Sequence, residues 1–236
     1  MKGELEEKSE EYINATAHKK NALNQLDSLM TYYIENGNYK KVDLLSYWFE
    51  TFTNYIFNED SFNPKSLIKY KRGSIIKANL GFNVGNEEGG LHYCLVVDKS
   101  NDMSSGTLTV IPLTSRKENK NYNKKTTLDL GNEIYKNLAK TFNGMSKKIS
   151  NEYQNIWNLP NDKVEQFSND FKYLKKVEKE IQKMKKGSIA LVSQITTLSK
   201  QRIYDPKTAL DILANMRVSD STLDLIDDKI KELFIK

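Results

Sequence analysis

Proton transfer near neutral pH is the natural work of histidine, and this chain has two, His18 and His92. His92 stands in NVGNEEGGLHYCLVV (residues 83–97), where glycines and acids run straight into an apolar stretch. Gly85, Gly89 and Gly90 let the backbone bend tightly and approach a ligand closely. The carboxylate of Glu87 among them is able to accept hydrogen bonds from amino groups on base edges. The plainer alternative is a turn with two solvated acids, leading to a histidine satisfied at a strand start. Cys94 is the only cysteine and sits inside LHYCLVV, so it reads as a small buried thiol rather than a nucleophile. Two histidines and one cysteine supply no set of recognisable metal-binding spacing, and no metal or other cofactor is expected.

Further along, Thr114 and Ser115 end the stretch TLTVIPLTS. A hydroxyl there either donates to a phosphate oxygen without itself titrating or simply closes a turn. Gln194, in SQITTLSKQR, carries an amide suited to a base edge from either side, and Arg202 and Arg72 are phosphate-binding or structural cations.

These side chains are held by a patterned chain. Apolar residues recur at helical spacing over residues 6–62, with a break at Gly37 and Asn38, which predicts two helices arranged as a hairpin. From Tyr70 onward GSIIKANL, HYCLVVDK and TLTVIPLTS predict strands of a small barrel or sandwich. Between Arg116 and Lys186 strand signals fade, and Val164, Phe167, Phe171, Leu174, Val177, Ile181 and Met184 mark a long amphipathic helix. The chain returns to strand in SIALVSQITTLSK and closes with a helix over 220–234. The expected organisation is an N-terminal helical extension (1–66) and a β-rich domain (67–236) interrupted by a charged helical insertion at about 117–186.

Charge is uneven. Residues 1–66 hold 7 lysines against 11 acids, whereas 116–187 hold 17 basic and 9 acidic residues. That excess suits a polyanionic partner, or else a solvated lysine-rich helix. The apolar stripe of the insertion is expected to pack on the N-terminal helices. No apolar run approaches the ~20 residues of a membrane span, so a soluble, cytoplasmic protein with no membrane partner is expected.

The stretch YKRGSIIKANLGFNVGNEEGGLHYCLVVDK, followed by GTLTVIPLTS and KKGSIALVSQITTLSKQRI, resembles the MazF/PemK family of toxin endoribonucleases from bacterial toxin-antitoxin pairs. The arginine-glycine opening, the G-x-E-x-G-G loop, the strand ending in threonine and the Q-I-x-T strand occur in the family's order, over about 100 residues. The resemblance implies an α+β protein built on a small SH3-like β-barrel with a C-terminal helix, paired as a homodimer. It also implies metal-independent cleavage of single-stranded RNA, leaving a 2′,3′-cyclic phosphate and a 5′-hydroxyl, under the control of an antitoxin protein. By position it implies catalytic roles for His92 and Thr114, and RNA contacts from Glu87, Gly89, Gly90, Ser115, Gln194, Thr196 and Arg202. One departure is plain: His92 stands where better-known members carry an arginine, and Tyr93 replaces the proline beside it. Such a site either divides its proton transfers differently or has become a non-catalytic module that binds RNA or protein.

Overall fold

The computed structural model describes residues 9–153 and 160–235. The chain forms two compact units, Met1–Ile56 and Phe57–Lys236. The first is helical. Helix α1 (Glu10–Glu35) starts at Ser9, whose side chain accepts from the Tyr12 N–H at 3.3 Å and so satisfies one of the orphan donors of the first turn. It ends where Gly37 turns into the left-handed region at φ 72°, and α2 (Tyr39–Phe57) follows. Lys41 lies over the Tyr33 ring at 4.3 Å, and Leu45 is the one buried residue of α2. Residues 6–8 of the predicted helical stretch lie outside the described residues.

The second unit is built on an antiparallel sheet of β1 (Ile75–Asn79), β2 (Leu91–Val96), β3 (Thr107–Ser115), β4 (Leu128–Asp129), β5 (Ser188–Ala190), β6 (Thr196–Ser199) and β7 (Ile203–Asp205). Its order is β4-β5-β3-β2-β1-β7, with β6 also on β3. Strand alternation separates two cores. On one face Ile75, Leu95, Ile111 and Leu113 pack with Ile134 and Leu138 of α3 (Glu133–Glu152), Val177, Ile181 and Met184 of α4 (Asn161–Met184), and Leu223 and Ile226 of α5 (Asp220–Phe234). The other face gathers Ile76, Ala78, Cys94, Val96, Leu108, Val110, Leu198 and Ile203 from five strands, together with Leu67, Tyr70 and Leu80, and takes no helical residue. A sheet face that buries itself without a helical cover has to curve around its own side chains. Strands β4 and β7 end the sheet, which is not closed among the described residues.

Proline explains the sharpest irregularity. Pro112 of β3 accepts from the Leu191 N–H at 2.9 Å but has no N–H to return to the Leu191 carbonyl. That carbonyl accepts from Gln194 instead, at 2.9 Å, and the partner chain turns through a 3₁₀ segment, Val192–Gln194. Leu113 pairs with Ala190 but Val110 pairs with Thr196, so these three surplus residues split what the sequence shows as one strand into β5 and β6.

The insertion departs from expectation twice. It holds two helices, with α3 unpredicted ahead of α4, and Val177, Ile181 and Met184 of the α4 stripe are buried in the helix-covered core of the sheet, while Val164 and Phe171 stay exposed. Each fully buried Val or Ile of that stripe contributes about 1.5–3 kcal/mol of burial, which suffices to decide where the helix lies.

Candidate active site

The loop between β1 and β2 is closed by close backbone approach. Gly90 sits at φ 82° and its N–H donates to the Gly81 carbonyl at 2.6 Å, while a Cβ on Gly89 would come within 2.8 Å of the same oxygen. Inside the loop the Glu87 N–H donates to the Val84 carbonyl at 3.2 Å, and Glu87 Oε2 accepts from the Val84 N–H at 3.2 Å. Asn83 Nδ2 donates to the Glu88 carbonyl at 2.7 Å.

Gln194 fastens the loop from outside. Its Oε1 accepts from the Glu88 N–H at 2.6 Å, and its Nε2 donates to the Asn86 carbonyl at 3.2 Å. Both ends of the amide are thus engaged by backbone, a use different from the expected reading of a base edge.

His92 begins β2. Its Nδ1 lies 3.2 Å from the Leu113 carbonyl, and because a carbonyl only accepts, this nitrogen carries a proton. Nε2 lies 3.1 Å from Glu88 Oε1. Both ring nitrogens therefore face acceptors, an arrangement satisfied in full when both are protonated. The two side chains are 24% and 27% exposed, open enough for a ligand to reach them.

The β2–β3 ladder ends at Tyr93 opposite Leu113. By alternation His92 lies on the sheet face of Cys94, and half-buried Thr114 on that same face beside Pro112. Alternation sends Ser115 to the other face, where its hydroxyl donates to the Lys183 carbonyl of α4 at 3.4 Å.

A cleft of about 640 Å³ opens beside this pair. Asn83, Asn86, Glu87 and Glu88 form one wall and Ser193, Gln194, Thr196 and Thr197 another, with Leu80, Pro112 and Leu198 between. Arg202 is the one cation among the described lining residues, and its Nε donates to the Asn79 carbonyl at 2.8 Å. His92 and Thr114 do not line this cleft, but they share the sheet face of its Pro112 floor, and Glu88 joins the two. Cys94 lies on that face too, where burial pushes its thiol up to about 12 against the opposing charge of Arg202, as an inert thiol requires. Arg72 is engaged elsewhere, bridging the Val97 carbonyl and Asp227 of α5. Among the described residues no group of three or more His, Cys, Asp or Glu could hold a metal ion, and no helix is long and apolar enough to cross a membrane.

Of the residues predicted from sequence, Glu87, Gln194, Thr196 and Arg202 meet around the cleft, His92 and Thr114 share the sheet face of its Pro112, Gly89 and Gly90 shape the loop, and Ser115 stands apart. Glu88 was missed. Its contact with His92 exists only because Gly89 and Gly90 fold the loop back, and residue spacing carries no trace of that.

An α+β protein with an open curled sheet, a polar cleft at a glycine-rich loop and a histidine-carboxylate pair on its edge is the class that this geometry defines. Residues 71–144, from the approach to β1 into α3, match the family model described as PemK-like, MazF-like toxin of type II toxin-antitoxin system. Over this region the chain is similar to that toxin family, whose members are generally endoribonucleases. No curated protein matches the chain.

Proposed function

We propose that this protein is the toxin of a type II toxin-antitoxin pair and cuts single-stranded RNA, including mRNA, without a metal. The RNA's own 2′-hydroxyl attacks the adjacent phosphorus, leaving a 2′,3′-cyclic phosphate and a 5′-hydroxyl. The observation that carries this reading is the partly exposed His92 imidazole, held by the Leu113 carbonyl and paired with Glu88, which lines a polar cleft of nucleotide size. In this reading His92 transfers a proton and Thr114 donates a hydrogen bond to a non-bridging oxygen as the phosphorane forms. Glu87 and Thr196 meet bases in the cleft, Arg202 balances phosphate charge, and Gly89 and Gly90 allow the strand close to the loop. Gln194 acts by holding that loop. Ser115 contributes at most to the approach path. The working form is a homodimer, the commonest closed assembly, restrained by a cognate antitoxin protein.

The test is incubation with a long single-stranded RNA in excess chelator, followed by mapping of the ends. Discrete cuts ending in cyclic phosphate, reduced about 10²- to 10⁴-fold in His92→Ala with binding retained, are expected. Binding without cuts would instead assign a non-catalytic module to this fold.

A further inference from the structure

Cleavage through a 2′-hydroxyl moves two protons: one leaves the attacking oxygen and one reaches the departing 5′-oxygen. A single histidine fixed at Nδ1 offers one working nitrogen, Nε2, and serves one of these transfers well. The group 3.1 Å from that nitrogen is Glu88 Oε1. Glu88 is fastened at both ends of its backbone, its N–H to Gln194 and its carbonyl to Asn83 Nδ2, and it lines the cleft. The backbone bonds hold the loop, and the contact that the structure gives to the carboxylate is His92 Nε2 itself.

We propose that Glu88 is the second proton-transfer residue of this site, taking the 2′-hydroxyl proton while His92 Nε2 delivers its proton to the leaving 5′-oxygen. The proposal rests on the ribonuclease reading above. Substrate entering between the two side chains parts their contact, with Glu88 on the 2′-oxygen side and His92 on the 5′-oxygen side. The 2′-oxygen forms its bond to phosphorus as its proton passes to the Glu88 carboxylate. The bond from phosphorus to the 5′-oxygen breaks, and its electron pair takes the Nε2 proton. Glu88 is left protonated and His92 neutral. When product departs the contact re-forms, and the proton returns from Oε1 to Nε2 across it. No outside donor is needed between turnovers. An arginine in the place of His92, a poor proton shuttle, would not pass the proton back in this way.

The test compares wild type, Glu88→Gln and His92→Ala on a short single-stranded RNA that the parent cuts, under single-turnover conditions. The amide oxygen of Glu88→Gln still accepts from Nε2–H, so a residue that merely positions His92 would keep its activity in this variant. The expected result is a loss of about 10²- to 10⁴-fold with RNA affinity unchanged. The pH-rate profile should lose the limb that rises as the base ionises. Glu87 on the same loop, Cys94 on β2 and Arg202 after β6 are the other titratable or charged groups around the pair, and all three remain in the variant. A substrate with sulfur replacing the bridging 5′-oxygen separates the two roles, since a thiolate leaves without being protonated. It should restore His92→Ala and leave Glu88→Gln slow. Glu88→Gln cutting at the parental rate, or rescued by the sulfur substrate, would overturn the assignment while leaving the ribonuclease reading intact. A wild-type protein that cuts no RNA would remove both.

Discussion

Gln194→Ala separates an amide that reads RNA from one that holds a loop. Two hydrogen bonds are lost, from the Glu88 N–H at 2.6 Å and to the Asn86 carbonyl at 3.2 Å. Each is worth about 0.5–1.5 kcal/mol net, so the loop's closed form weakens by about 2 kcal/mol. At 1.4 kcal/mol per decade this is roughly a 30-fold shift toward open loops. The loop opens without unfolding the sheet, so global stability should fall by less than the local figure. The cleavage rate should drop by up to this factor of about 30, and equally on every RNA, because the displaced Glu88 and His92 serve all sequences alike. Gln194→Glu, which keeps the acceptor for Glu88 and loses the donor to Asn86, should show about half the free-energy effect. The assay is single-turnover cleavage across oligonucleotides varied at each position near the cut, alongside hydrogen exchange of the Glu88 amide. A loss confined to RNAs carrying one base at one position, with the Glu88 amide as protected as before, would refute the clamp and restore base reading to Gln194.

Two further outcomes follow from buried polar groups. Tyr70 is buried and its hydroxyl donates to the Pro206 carbonyl at 2.6 Å, so Tyr70→Phe should cost about 1–3 kcal/mol in urea unfolding by leaving that carbonyl unpaired; a change under about 0.5 kcal/mol would contradict it. Burial holds the Asp205 carboxyl above the usual carboxylate range, despite the Leu213 N–H, so its contribution to stability is full below the ordinary carboxylate value and is lost as pH rises through the raised one. Asp205→Asn should therefore gain on the parent in melting temperature between about pH 3 and about pH 7, and a constant difference across that range would refute the linkage.

Residues with strong local patterns were legible in advance. TLTVIPLTS is β3 from end to end, the terminal helix spans 220–234 as its apolar spacing demands, and Gly37 with Asn38 separates α1 from α2. Illegible features were those set by distant partners. Helix α3 is an exception, since Ile134, Leu138, Phe142 and Met145 recur at helical spacing and all meet the core. Two-residue β4 and three-residue β7 are shorter than any pattern reveals and exist by pairing with β5 and β1. The candidate site divides likewise. His92, Thr114 and Glu87 stand out by residue type within recognisable surroundings. The role of Gln194 and the partnership of Glu88 depend on how two loops from opposite ends of the unit meet.

The proline in β3 reaches further than its own strand. Because Pro112 returns no bond to Leu191, the opposite chain coils for three residues, and the last of them is Gln194, whose amide then faces the loop that bears Glu88. Give that position an N–H and the partner is free to run straight, carrying Gln194 three places along the ladder and out of reach of the loop. The address of one functional side chain is thus written in another strand as a missing hydrogen atom. A chain that drifts in sequence has to conserve the two together, so glutamine and proline should be inherited as a unit across descendants of this protein, or be exchanged as one.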